Sequence, residues 1–258
     1  YRIMRAHARL GWWIAKGGMA DISRTRVLAD LMFHDRTTEE DLDRLFVDGK
    51  YEAGLLSGDE KAFAEFLHKK NLNDPDMPDS VRAECPDWAE EKLRALFGSD
   101  FEAQLSTMIN PAPLDLRVNT VKGTVDEAMD SLIVDNVRVV KTPYSPIALR
   151  TEGKPFMSDT KAFRKGLVEI QDEGSQLIGL VCGVKPGMRV LDYCAGGGGK
   201  TLVLAAQMQN KGNIVATDND SRRLEKGKPR YRKAGVHNVE TRSLAEEQNR
   251  KWLRRQKG

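Results

Sequence analysis

Apolar positions recur with a helical period through the first hundred residues. In "RIMRAHARLGWWIA", Ile3, Leu10, Trp13 and Ile14 fall near one helical face. "TTEEDLDRLF" opens with a capping signal, Thr37 with Glu40, and "SGDEKAFAEFLHKK" repeats it with Ser57 and Glu60 ahead of an apolar stripe of Phe63, Phe66 and Leu67. "CPDWAEEKLRALFG" places Pro86 at a helix start and Gly98 at its stop, and Trp88, Leu93, Leu96 and Phe97 are expected to face a core. Residues 1–110 therefore read as a helical region.

The period switches to two at "NPAPLDLRVN", where Leu114, Leu116 and Val118 alternate with Asp115, Arg117 and Asn119. A capped helix follows, Thr124 with Glu127 in "TVDEAMDSL", and then two short strands, "VRVVK" and "IALRT". Residues 111–168 thus read as a small α+β module. From residue 169 to 258 helices and strands alternate: "DEGSQLIGLVCGV", "MRVLDY", "KTLVLAAQMQ", "GNIVATD", "SRRLEKGKPRYRKAG" and "NVETRS". That order predicts a parallel sheet with crossover helices, an α/β fold of Rossmann-like type of which this chain holds the N-terminal half. Pro229 is expected to kink or split its helix.

Charge adds a hint of a partner. Residues 35–102 carry 19 acids against 9 bases, whereas residues 221–258 carry 13 bases against 4 acids. A basic end fits a polyanion, because each pairing with phosphate releases counterions, although a solvated helix face has the same composition. No apolar run approaches the roughly 18 residues of a membrane span, so no membrane partner is expected. Cys85, Cys182 and Cys194 form neither a disulfide framework nor a paired metal spacing. A cytoplasmic setting without a metal is the expectation. The chain opens with Tyr1 rather than Met, which is read as a start inside a longer protein.

The candidate chemistry centres on "VLDYCAGGGGKT", Val190 to Thr201. An ATPase phosphate loop needs G-x-x-x-x-G-K-[ST], and the position of its first glycine is Cys194. A dinucleotide loop needs G-x-G-x-x-G, and its third glycine falls on Thr201 or Leu202 in the two possible registers. S-adenosyl-L-methionine (S-adenosylmethionine) makes different demands. It needs a close backbone approach, which Gly196 to Gly199 supply, and an acid at the end of the second strand to accept ribose hydroxyls. Asp218 ends "NIVATD" in that place; a helix cap or turn residue is the other reading of it. Asp192 is read as a brace for loop amides or as a plain structural acid.

"DYCAGGGGKT" resembles the D-x-C-A-A-P-G-G-K-T loop of the Sun-type (Nop/Sun) RNA cytosine-5 methyltransferases, the bacterial ribosomal RNA members most of all. "CPDWAEEKLRALFG", "PLDLRVN" and "FRKGLVEIQDEGSQL" resemble further family segments in the family's order, so the resemblance covers roughly residues 85–243. The start of the chain resembles the tail of a NusB-like RNA-binding domain. The resemblance implies a class I methyltransferase domain and S-adenosylmethionine on Cys194, Ala195, Gly196, Gly197, Gly198, Gly199 and Lys200, with Asp218 and Arg223. It also implies RNA as partner, ribosomal RNA before transfer RNA, gripped by Arg117, Lys122 and Arg138 with the basic helices. The target cytosine then has to leave its stack. A monomer is expected.

Three positions depart from the family pattern. Gly196 replaces alanine, Gly197 replaces proline, and Ser243-Leu244 stand where the family shows Gly-Asp. The family's chemistry uses a cysteine that attacks C6 of cytosine and a second that helps release product, in Pro-Cys and Thr-Cys motifs. No such motif occurs here, and Cys182 reads as core. No catalytic residue is assigned within the chain, and a Pro-Cys is expected within roughly 30 residues beyond it. The competing class of function is a non-catalytic RNA-binding or assembly factor that retains the fold.

Overall fold

The computed structural model describes residues 1–256, which form two compact units that divide between Pro111 and Ala112. In the first unit, α1 (Arg2–Arg5), α2 (His7–Lys16) and α3 (Ser23–Asp30) are followed by a π-turn at Leu31–Asp35. Then come α4 (Glu39–Leu45), α5 (Gly58–Leu67), α6 (Asp79–Arg82), α7 (Asp87–Phe97) and α8 (Phe101–Ile109). Leu10, Trp13, Ile14, Leu28, Phe33, Phe63 and Leu67 share one core. Trp13 is buried there and still satisfies its indole N–H, which donates to the Leu72 carbonyl at 3.0 Å.

The Ser57–Glu60 box forms as expected, whereas the cap of α4 is Thr38 with Asp41. Thr37 is instead buried, and its hydroxyl donates to the Leu31 carbonyl at the start of the π-turn. Pro86 and Gly98 bound α7 as expected. Its apolar residues divide differently: Leu93 and Phe97 pack on a small cluster around Phe101, while Trp88 and Leu96 face outward at 82% and 71% exposure.

The second unit begins with β1 (Asp115–Val118), α9 (Val125–Val134), β2 (Val139–Lys141), β3 (Ala148–Thr151), α10 (Lys161–Arg164) and β4 (Val168–Ile170). The strands form one antiparallel sheet in the order β2-β3-β1-β4. This is the βαββαβ arrangement of a ferredoxin-like module. Leu116, Val118, Ala128, Leu132, Leu149 and Val168 fill its core. The alternation in β1 predicts one polar face, yet Asp115, Arg117 and Asn119 are buried as well. The following layer covers them. Asp115 pairs with Arg150 at 2.7 Å and accepts the Glu173 amide, and the Asn119 side-chain amide donates to the Ala234 carbonyl at 2.8 Å.

That layer holds α11 (Glu173–Val181), β5 (Arg189–Asp192), α12 (Gly199–Gln207), β6 (Asn213–Asp218), α13 (Ser221–Ala234), β7 (Val239–Ser243) and α14 (Glu247–Arg254). The strands run parallel in the order β5-β6-β7, so the α/β, Rossmann-like class read from the alternation is the class observed. Leu202, Ala205, Met208, Ile214, Tyr231 and Ala234 pack between sheet and helices. Among the described residues β5 pairs on one side only, and Met188, Leu191 and Tyr193 are partly exposed along it. The α13 helix runs on past Pro229 as one element, so the proline does not split it. Pro229 and Glu225, whose carbonyl would have received the missing N–H, both lie on the exposed side. Cys182 is also exposed rather than core, at the end of α11.

Candidate functional site

The site grows from the ends of two adjacent parallel strands, where open α/β sheets bind ligands. The chain leaves β5 at Asp192, turns through Tyr193 to Gly198 and enters α12 at Gly199. Two glycines make the turn possible. Gly196 has φ +55 and Gly198 has φ +82, a region that disfavours side chains. A Cβ on Gly198 would lie 2.2 Å from the Tyr231 hydroxyl, and one on Gly196 would lie 2.7 Å from the Arg223 guanidinium.

Asp218 closes β6 beside this loop. One carboxylate oxygen accepts the Gly196 amide at 2.9 Å and the other accepts the Asp220 amide at 2.9 Å. A carboxylate offers about four lone-pair positions, so two remain to accept a vicinal diol. The Asp218 side chain is only 10% exposed, and Arg223 stands 3.9 Å away. The loop is also held by the Ala195 amide on the Thr217 carbonyl at 2.8 Å and by the Thr217 hydroxyl on the Tyr193 carbonyl at 2.6 Å.

The acid at the end of β5 takes another role. Asp192 accepts the Thr201 hydroxyl at 2.7 Å and so ties the strand to the first turn of α12. The acid that braces a loop amide is Asp218, not Asp192. Cys194 on the loop and Lys200 in the first turn of α12 are exposed. Lys200 adds to the field that holds the Asp172 carboxyl below its ordinary range, after the larger effect of the hydrogen bond from Ser175. At the family's Gly-Asp position, Leu244 is buried and its amide donates to the Asp218 carbonyl at 2.8 Å. Asp218 is thus fixed by its own backbone as well as by its carboxylate.

The three residues expected to grip RNA do not share a surface role. Arg117 is 2% exposed on the covered face of β1, so it cannot reach a phosphate, and that expectation is corrected. Strand alternation assigns it to a solvent face, but α11 and α13 occupy that side. Lys122 is committed to two backbone carbonyls, of Lys165 and Lys233, each at 2.7 Å. It clamps the ferredoxin-like module to α13. Arg138 is exposed, with only a loose 3.8 Å contact to Glu152.

No sequence signal singled out Arg230, Tyr231 or Glu169. Arg230 donates to the Gly197 carbonyl and lies 3.3 Å from Glu169. Tyr231 forms the floor beneath Gly198. A basic run conceals which of its members turns inward. None of the cysteines is set up as a nucleophile. Burial pushes the Cys85 thiol up, Cys182 sits at the end of α11, and Cys194 belongs to the loop.

Two family models match the chain in order. Residues 85–155 match the "Methyltr_RsmF/B-like, ferredoxin-like domain", and residues 180–257 match "16S rRNA methyltransferase RsmB/F". The chain is 32% identical over 143 residues to a probable ribosomal RNA small subunit methyltransferase B of Synechocystis sp., covering 55% of this chain and 32% of that protein. A crystal structure of a methyltransferase homolog protein from Pyrococcus horikoshii is similar with a TM-score of 0.60 at 29% identity, covering 66% of this chain and 56% of that one. NSun6 from Pyrococcus horikoshii, solved with SFG, has a TM-score of 0.58 at 19% identity, over 62% of this chain and 65% of that one, and shows the fold alone. The chain spans about a third of the length of the curated relatives it matches.

A strand, glycine loop and helix with a carboxylate at the next strand's tip, set against a ferredoxin-like sheet, define a partial Rossmann-like methyltransferase fold. Both family models place the chain more narrowly. It belongs to the Sun-type RsmB/F family of methyltransferases.

Proposed function

We propose that this chain is the cofactor-binding and RNA-gripping part of an S-adenosylmethionine-dependent enzyme that forms 5-methylcytosine in small-subunit ribosomal RNA. The observation that carries the reading is the fixed Asp218 carboxylate against the Gly196 amide, with two lone-pair positions left for ribose hydroxyls. The curated relatives are named ribosomal RNA small subunit methyltransferase B, and NSun6 was solved with SFG, an analogue of S-adenosylmethionine. The bound cofactor supplies the methyl group. Loop residues Cys194 to Lys200 give it a close backbone wall, Asp218 orients its ribose, and Arg223 lies over Gly196 at the rim.

In this reading residues 1–110 carry a NusB-like region with linker helices, residues 111–168 the RNA-binding module and residues 169–258 the cofactor half. RNA meets Arg138 together with exposed Lys161, Arg164 and Lys165 on and after α10, and with Lys226 and Arg232 on α13. The protein works as a cytoplasmic monomer. The test is methyl transfer from labelled S-adenosylmethionine to unmodified small-subunit ribosomal RNA, using the full-length protein. Label at C5 of cytosine supports the reading. RNA binding without incorporation overturns it in favour of a non-catalytic assembly factor.

A further inference from the structure

The anchors of the glycine loop converge on one helix. Arg223, Arg230 and Tyr231 of α13 touch Gly196, Gly197 and Gly198 in turn. Four consecutive glycines have many conformations to lose, so external anchors decide where the loop rests. Arg230 differs from the other two because its contacts continue away from the loop. Its Nε lies 3.3 Å from Glu169, which is 8% exposed in β4 of the ferredoxin-like module. The pair is a close electrostatic contact rather than an aligned hydrogen bond, since the buried Arg230 Nε lacks a hydrogen-bond partner.

Glu169 has a second cation. Across the β1/β4 ladder it stands opposite Arg117, which is 2% exposed. Burial pushes the Arg117 guanidinium down to about 10, against the pull of Glu169. Two guanidiniums and one carboxylate thus share a seam between the antiparallel sheet and α13, with Arg117 and Glu169 buried and Arg230 partly exposed. Such buried charge is a poor source of stability compared with apolar packing of the same volume. It does fix direction, because the planar guanidinium presents its donors in a rigid fork.

We propose that Arg230, oriented by Glu169, is a positioning residue that sets the Gly197 carbonyl, so that the β4 strand of the ferredoxin-like module determines the shape of the cofactor loop. This inference rests on reading that loop as the S-adenosylmethionine site. Cofactor affinity is then coupled to the module that holds β4, and by linkage any load on that module is felt at the loop.

The test is amide hydrogen exchange over residues 190–201, measured on the whole protein without ligand, beside calorimetry with S-adenosylmethionine. Arg230→Met and Glu169→Gln should each raise loop exchange about tenfold while exchange in the cores of α12 and β6 stays put. The double variant should do no more than either single one, as expected for two residues acting through one contact. Each single variant should also weaken cofactor binding about tenfold, and Arg230→Lys should recover only part of it. If Glu169→Gln fails to fold, Arg230→Met carries the test, because it leaves Glu169 opposite Arg117. Unchanged loop exchange, or a rise shared equally by α12 and β6, overturns the inference. Raised loop exchange in the variants, with a wild-type protein that binds no S-adenosylmethionine, sinks the cofactor reading and leaves the positioning role standing. Unchanged exchange with binding that depends on Asp218 does the reverse.

Discussion

The Asp218 carboxylate accepts the Gly196 amide at 2.9 Å, across the gap between the tip of β6 and the loop after β5. One side chain therefore shapes the loop and, in the proposed reading, also presents the acceptor for a ribose. Removing it costs the site twice.

Glycine is required more strictly at one end of this loop than at the other. Gly198→Ala adds a Cβ at φ +82 that meets the buried Tyr231 ring tip at 2.2 Å. Left-handed backbone and overpacking together should cost about 2–4 kcal/mol. Gly196→Ala meets only the mobile end of Arg223, which is 61% exposed, and should cost about 1 kcal/mol, mostly backbone. Chemical denaturation of the two variants checks the ranking; equal losses would contradict it.

The two tryptophans Trp13 and Trp88 should behave oppositely. Trp13 is 1% exposed in the helical unit's core, and its replacement by alanine should cost about 3–5 kcal/mol. Trp88 is 82% exposed, and Trp88→Ala should change stability by less than about 0.5 kcal/mol. Urea unfolding followed by circular dichroism separates the cases, and a large loss at Trp88 would mean that its surface is buried in solution.

Acid should weaken the helical unit through Glu60. The Arg24 hydrogen bond at 2.6 Å, outweighing desolvation and aided by the Ser57 amide, holds this carboxyl below its ordinary value of 4.5. A depressed folded-state value means that the stabilisation is complete above pH 4.5 and is lost as pH falls through the lower folded value. Thermal melts between pH 6 and about pH 3 should show a decline that Glu60→Gln flattens. A variant that loses stability with the same slope as the wild type would rule Glu60 out.

Much of this architecture is written locally. The Ser57–Glu60 and Thr124–Glu127 boxes each lie within four residues, and both form. Hydrophobic period separates the helices from the parallel layer, and the glycine loop lies between β5 and α12 because strand and helix signals flank it. What escaped was set by distant partners. The polar face of β1 is buried by contacts such as Asn119 to Ala234, 115 residues away. That one fact removes Arg117 from the surface. The β4 strand has three residues, too few to declare a period. Within the basic helix, only its packing shows that Arg230 turns toward Gly197 while Arg232 faces out.

Asp218 and the loop before α12 are proposed to hold S-adenosylmethionine. Isothermal titration of the protein with S-adenosylmethionine, wild type beside Asp218→Ala, tests it most directly. Loss of the acceptor and of the loop brace should weaken binding at least about tenfold, with the variant still folded. Equal affinity in the two proteins would contradict the assignment.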